Sequence, residues 1–381
     1  MNSLPEAYRI VCVVGARPNL MKMAPLMSAL RAHGRTFDPL LVHTGQHFDM
    51  AMSGQHFEAL GLPEAAINLG VGGGSHASQT ADVLRRFEPV LDAHRPAAVL
   101  VVGDVNSTLA CALAAAKRGT PVMHVEAGLR SGDRTMPEEI NRILTDQLSE
   151  LLFASEPSGV ENLLREGIAR HRIRFRGNVM IDSLQNHVLA APPAADVIGA
   201  YGGDGVAENP RGYALLTLHR PANVDDAGML RDLLETVAEL AARLPLIFPV
   251  HPRTMEMVRR HALEYLLRHP ALFPLPPLGY LEMLGLMKDA RLVLTDSGGI
   301  QEETTALGVP CLTLRDSTER PVTVEAGTNT VVGRERTAIL AAADGILLHG
   351  GKSGRIPPLW DGKAAERIAA DILDWLRKER P

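Results

Sequence analysis

The chain is short of nearly everything that would mark a secreted, membrane-embedded or metal-dependent protein. Only three of its 381 residues are cysteine, and Cys12, Cys111 and Cys311 each sit inside an apolar run. Such placement excludes a disulfide frame and suits small core residues in a reducing compartment. No apolar run reaches the ~18 residues of a membrane span. The opening MNSLPEAYR has no signal-peptide pattern, so a cytoplasmic chain without membrane insertion is expected. A net charge of −5 gives no general attraction to nucleic acid or anionic lipid, and a polyanionic substrate would need a local basic pocket. Histidines at 43, 47, 56, 76, 124 and 251 follow no HExxH pattern and no CxxC accompanies them, so no metal is expected. Nicotinamide binding lacks its GxGxxG after the first strand, because neither GARP nor GVGGGSH is that fingerprint, and serine-hydrolase chemistry lacks its GxSxG elbow.

What is present is a soluble globular composition, 46% apolar and 22% charged, with length enough for two domains. Short apolar runs at 9–15, 40–44, 97–102, 122–125, 151–154 and 173–176 read as strands, with helical patterns at 16–33, 78–92, 106–117, 138–149 and 157–166. An irregular Pro- and Gly-rich span at 183–211 follows. The rhythm then resumes with strands at 213–218, 246–250, 292–295, 310–314 and 328–331, and two helices near 337–347 and 363–377 close the chain. The fold class expected is α/β: two doubly wound, Rossmann-like domains, 1–180 and 181–362, facing across a cleft between their carboxyl edges. GVGGGSH, which follows no clear strand, reads as a mobile loop rather than a phosphate loop.

The stretch from Val99 to Arg142 organises the first half. Asp104 and Glu126 each end an apolar run, and Glu138 opens the next helix behind Pro137. Acids gathered at one carboxyl edge suit proton transfer, although acids that merely complement helix dipoles would look the same. In the second half, LTDSGGIQEE places Ser297, Gly298 and Gly299 at a strand-to-helix turn, where bare N–H groups suit phosphate oxygens. Glu303, one turn further on, could accept from a ribose diol. His219 and Arg220 end another strand, Arg320 follows the run at 310–314, and Arg17 and Lys22 flank the first strand's exit; together they form a cationic set for a diphosphate. Gln46, His47 and His251 are candidate loop or second-site contacts, alongside Arg220.

The blocks GARPNLMKMAPL, HTGQHFDMAM, VVGDVNSTLA, HVEAGLRSGDRTMPEEINR, LTLHRPANV, LTDSGGIQEE and RDSTERP occur in this order, and the series resembles the non-hydrolysing UDP-N-acetylglucosamine 2-epimerases from about Arg9 to Gly333. The resemblance implies a glycosyltransferase-B type fold, usually a homodimer, with the terminal helix (363–381) returning to the first domain. It implies inversion at C2 of UDP-GlcNAc to give UDP-ManNAc, without NAD or any other cofactor. Carried over by position, Asp104, Glu126, Glu138 and His219 match the family's catalytic residues, and Arg17, Lys22, Ser297, Gly298, Gly299, Glu303 and Arg320 match positions that hold the nucleotide. The chain departs from better-known bacterial members at Pro221, where they carry a second arginine, and at GVGGGSH, where they carry a charged segment tied to a regulatory UDP-GlcNAc. Alternatives are a C2 epimerase of a UDP-2,3-diacetamido uronic acid, a hydrolysing epimerase, a sugar transferase of the same fold, or a non-catalytic nucleotide-sugar sensor. The first-half acids favour epimerisation over transfer, which needs an acceptor pocket.

Overall fold

A computed structural model describes residues 7–45, 61–203 and 205–379, apart from the side chain of Arg17; Gln46 and His47 lie outside the described residues. The chain divides into two compact units, Met1–Gln185 with Pro358–Pro381, and Asn186–Pro357. The first holds a seven-stranded sheet and the second a six-stranded sheet.

In the first unit β1 (Tyr8–Val14), β2 (Phe37–His43), β3 (Ile67–Asn68), β4 (Ala98–Val102), β5 (Val122–Ala127), β6 (Leu151–Ala154) and β7 (Ile173–Phe175) lie in the order 3-2-1-4-5-6-7. Every pairing is parallel. In the second, β8 (Ala214–Thr217), β9 (Leu246–Pro249), β10 (Leu272–Leu275), β11 (Leu292–Thr295), β12 (Cys311–Thr313) and β13 (Asn329–Val331) lie in the order 10-9-8-11-12-13, again all parallel. Helices cover both faces of such sheets, so the central strands are apolar throughout; Ile10–Val14 and Ala98–Val102 are fully buried runs. Both sheets are doubly wound, as the strand–helix rhythm predicts. The order reverses between β1 and β4 in one sheet and between β8 and β11 in the other, and ligands of open α/β sheets bind beyond the carboxyl ends at such reversals.

Helix starts follow the proline signal. Pro18, Pro137, Pro157, Pro221, Pro252 and Pro321 each occupy a first turn, where a missing N–H costs nothing and φ is already helical. Elsewhere the structure departs from the pattern. The GVGGGSH segment does follow a strand, but β3 is two residues long, and Ser75 caps the next helix by accepting from Ser78 N–H. The span read as irregular from 183 carries the end of a helix at Val179–His187, buried from Val179 to Leu184 and so without an amphipathic stripe, and another at Ala194–Gly199. The helical pattern that the sequence carries over 254–268 does not form one helix: Pro252–Arg260 ends before Ala262, which has φ 53°, and a 3-10 turn at Glu264–Arg268 follows.

The terminal helix Ala364–Glu379 belongs to the first unit. Asp182 accepts from the N–H groups of Ala364 and Ala365 at its start, and Arg176 grips Asp371 from two nitrogens at 2.6 and 3.0 Å. Trp360 is buried and donates to the Ser155 carbonyl at 3.0 Å. Among the described residues no helix is long and apolar enough to cross a membrane.

Candidate functional site

At the first unit's reversal, β4 is followed by Gly103, whose φ is +67° and whose hydrogen faces Lys22; a Cβ there would stand 3.2 Å from Lys22 Nζ. That turn delivers Asp104. The penultimate residue of β5 is Glu126, a non-glycine residue at φ 72°, beside a register shift between Val125 and Ala127. Left-handed backbone at a carboxylate costs energy and persists where the surroundings enforce it. Lys22 Nζ lies 2.5 Å from Glu126 Oε2, and both side chains are buried. The structure thus brings Lys22 to an acid.

Asp104 is one-fifth exposed and lies 2.5 Å from Arg142 Nη2. Arg142 also meets Glu139 at 2.9 Å, and Glu139 accepts from the N–H groups of Ser131 and Gly132. Burial favours the neutral Glu139 carboxyl, but the two backbone donors and Arg142 outweigh it and hold Glu139 below the usual carboxylate range. Glu138 sits half-buried in the same first turn and makes no hydrogen bond or ion pair among the described residues. Helical rotation of about 100° per residue explains why one of two adjacent acids enters the network and the other does not. Glu139 and Arg142 were not singled out from the sequence; their three-residue spacing behind Pro137 is the signal that was there.

In the second unit, His219 follows β8 and Asp296 follows β11, adjacent strands at the reversal. His219 Nδ1 is 2.9 Å from Asp296 Oδ1, and the backbone N–H groups of His219 and Arg220 and the amide of Asn223 also donate to that carboxylate. Burial opposes its charge, yet the His219 and backbone hydrogen bonds hold Asp296 below the ordinary value. An ionised Asp296 accepts from Nδ1–H, leaving Nε2 of a partly exposed ring to exchange a proton. Asp296, overlooked in the sequence, stands immediately before the Ser-Gly-Gly turn. The His251 ring lies 5.4 Å from His219, and its Nδ1 accepts from Arg253 N–H, capping the helix Pro252–Arg260.

Ser297 is the N-cap of the helix Gly298–Leu307, whose first N–H groups have no partners within the helix. A Cβ on Gly298 would come within 2.7 Å of Glu319 Oε1. Glu319 is buried, 2.7 Å from Arg315 and 3.7 Å from Arg220. Arg320 is buried with its Nε 2.7 Å from Glu302. Arg220, Arg315 and Arg320 therefore share this region with the helix start, Arg315 being an addition to the sequence-derived set. Glu303 is buried in the same helix and accepts from Tyr280 OH at 2.9 Å; burial is the main cause that lifts its carboxyl to about 8. No three His, Cys, Asp or Glu side chains among the described residues gather as metal ligands would.

A family model described as UDP-N-acetylglucosamine 2-epimerase matches residues 28–373. The chain is 40% identical over 363 residues to the UDP-N-acetylglucosamine 2-epimerase of Methanocaldococcus jannaschii, covering 94% of this chain and 97% of that one. It is also 40% identical to the UDP-2,3-diacetamido-2,3-dideoxy-D-glucuronate 2-epimerase of Pseudomonas aeruginosa, covering 91% and 97%. Among solved structures, the M. jannaschii enzyme in complex with UDP-GlcNAc and UDP matches with a TM-score of 0.86 over 96% of this chain and 99% of that one, at 40% identity.

Proposed function

The chain belongs to the UDP-N-acetylglucosamine 2-epimerase family, and from that membership we propose that it inverts C2 of UDP-N-acetylglucosamine to give UDP-N-acetylmannosamine. Its two α/β units are of the glycosyltransferase-B type. The observation that carries the reading is Glu126, a buried carboxylate in a left-handed backbone, 2.5 Å from a buried lysine.

The chemistry asks for such a group. The C2 proton of the sugar has no carbonyl beside it, so a carboxylate alone removes it slowly. When the C1–O bond breaks and its electron pair leaves with UDP, positive charge at C1 makes the C2 proton labile. A carboxylate takes that proton, the C2–H pair becomes the double bond of a 2-acetamidoglucal, and UDP adds back at C1 as a proton returns to the opposite face of C2. Two-sided proton traffic calls for two groups, and Asp104 and Glu126 are the leading pair, with Glu138 beside them. Arg17 and Arg320, as the resemblance implies, and Arg220, Arg315 and the helix start at Ser297–Gly299 are assigned to the diphosphate. His219, oriented by Asp296, is assigned to protonate and deprotonate the departing phosphate oxygen. Glu303 is assigned to the ribose diol. Lys22, placed with the nucleotide by resemblance, is also assigned to keep Glu126 ionised.

A second sugar is favoured by one observation: identity to the diacetamido-uronate epimerase equals that to the N-acetylglucosamine enzyme. Incubation with each UDP-sugar in deuterium oxide, followed by proton NMR, tests both. Deuterium at C2 with a manno-configured product is expected; an unlabelled C2 with both sugars overturns the proposal, and free N-acetylmannosamine with UDP would make the enzyme a hydrolysing one. We also propose a cytoplasmic homodimer. Ile140 and Leu144, exposed one turn apart on the helix Pro137–Leu148, give a second copy an apolar face, and sedimentation at micromolar concentration checks it.

A further inference from the structure

Behind the first unit's acids lies a buried polar group that none of these roles uses. His124 stands on β5, two residues before Glu126, and is fully enclosed. Its Nδ1 is 2.7 Å from Asp146 Oδ1 and its Nε2 is 2.9 Å from the Gly103 carbonyl oxygen. A carbonyl oxygen only accepts. Asp146 also accepts from Arg130 Nη2 at 2.7 Å and from Gly128 N–H at 3.1 Å; burial disfavours its charge, but His124 and Arg130 hold it below the usual carboxylate range. An ionised carboxylate likewise only accepts. The ring is therefore held at both nitrogens, one against the carboxylate and one against the backbone carbonyl.

Three segments that carry the acids converge on this ring and its carboxylate. Gly103, at φ +67°, is the residue before Asp104, and Gly128, at φ +82°, is two residues after Glu126. The helix Pro137–Leu148 supplies Asp146 and also Arg142, which is 2.5 Å from Asp104. Arg130 ties the far side of Asp146 to Glu166 at 2.6 Å. A well-packed apolar group would stabilise such an interior position at least as well as a charged pair, so the pair points to a geometric task. We infer that His124, held by Asp146, is a positioning residue that fixes the separation of Asp104 and Glu126 for the two proton transfers. The inference rests on the epimerase reading.

Two variants and one spectrum test it. His124→Gln and Asp146→Asn are expected to lose about 100-fold in kcat, the cost of a misplacement near 1 Å, with KM and UDP affinity within about threefold of the wild type. Circular dichroism and thermal melting confirm that they fold. A kcat within about threefold of the wild type in both variants overturns the inference, and so does a parallel loss of kcat, KM and UDP binding, which marks a merely structural role. In the wild type, nitrogen-15 NMR of labelled histidine is expected to show both ring nitrogens of His124 engaged in hydrogen bonds. A ring nitrogen without a hydrogen bond overturns the inference even if neither variant folds. The two failures are distinguishable: a wild type with no deuterium uptake at C2 refutes the function, whereas an active wild type with fully active variants refutes the positioning.

Discussion

The two carboxyl edges differ in how they hold one deeply buried acid. In the first unit every candidate acid but Glu138 is clamped to a cation, and so is the buried Asp146: Glu126 to Lys22 at 2.5 Å, Asp104 to Arg142 at 2.5 Å, Glu139 to Arg142 at 2.9 Å and Asp146 to Arg130 at 2.7 Å. In the second unit Asp296, Glu302 and Glu319 are likewise paired, with His219, Arg320 and Arg315, but Glu303, as deeply buried, has the neutral hydroxyl of Tyr280 as its hydrogen-bond partner among the described residues, and its carboxyl rises to about 8. The first edge is therefore preorganised, with charges fixed before any ligand arrives, which is how a site stabilises charge that develops during reaction. The second edge holds one carboxyl whose ionisation a ligand can change.

Breaking the clamped side gives the largest effects. Asp104→Asn and Glu126→Gln are expected to lose about 10³-fold in turnover, within the range of general acid–base contributions, while UDP binding measured by calorimetry stays near normal. Near-normal turnover in either would remove that acid from the mechanism. Lys22→Met leaves Glu126 buried without its ammonium partner and should cost about 3–5 kcal/mol of stability in denaturant unfolding. The double variant Lys22→Met/Glu126→Gln should recover much of that loss, because the uncompensated charge is gone. A double variant no more stable than Lys22→Met would show that packing, not charge, holds the pair.

Asp296→Asn sharpens the contrast in the second unit. It removes the ionised acceptor that orients His219 Nδ1, and kcat should fall about 10²-fold with little change in UDP affinity.

Glu303 gives a pH signature. The ribose diol donates two hydrogen bonds, so it needs the ionised carboxylate, and below the folded value of about 8 that form must be produced against the proton. Ionising the carboxyl one pH step below its folded value costs about 1.4 kcal/mol, so UDP affinity should rise about tenfold from pH 7 toward pH 9. Stability runs the other way. The folded carboxyl binds its proton more tightly than the unfolded one, whose value is near 4.5, so stability is full below that value and is lost as pH rises through about 8. Glu303→Gln should flatten both curves, making the unliganded protein more heat-stable than the wild type at pH 8 and no more so at pH 4. Parallel pH profiles in the two proteins would refute the assignment.

How much of this was legible in the sequence follows from where the information resides. Apolar runs such as Ala98–Val102 announce their strands because both faces are covered, but β3 has two residues and β10 contains Pro274, so neither makes a pattern. Strand-end acids and the Ser-Gly-Gly turn were readable because the backbone alone delivers them. Their partners were not. Whether Glu138 or Glu139 meets Arg142, and that Asp296 orients His219, depends on helix rotation and on neighbouring strands 77 residues apart in the chain. Lys22 looked like one more diphosphate cation because sequence shows its charge and not that Glu126 lies 2.5 Å away.

The smallest expected effect separates the two glycine-rich segments. Gly72 and Gly73 have ordinary φ and open space where a Cβ would go, whereas Gly298 would place a Cβ within 2.7 Å of the buried Glu319 carboxylate. Gly73→Ala is then compatible with the folded backbone and restricts the unfolded chain, so it should be neutral or stabilise by about 0.4–1 kcal/mol, with turnover within twofold. Gly298→Ala must push Glu319 away from Arg315 and crowd the helix start assigned to the diphosphate, so both UDP affinity and the melting temperature should fall. If instead Gly73→Ala weakened UDP binding as much as Gly298→Ala does, the loop at 70–75 would be a phosphate loop in its own right, and the assignment of anion binding to the second unit's glycines would have to be shared with the first.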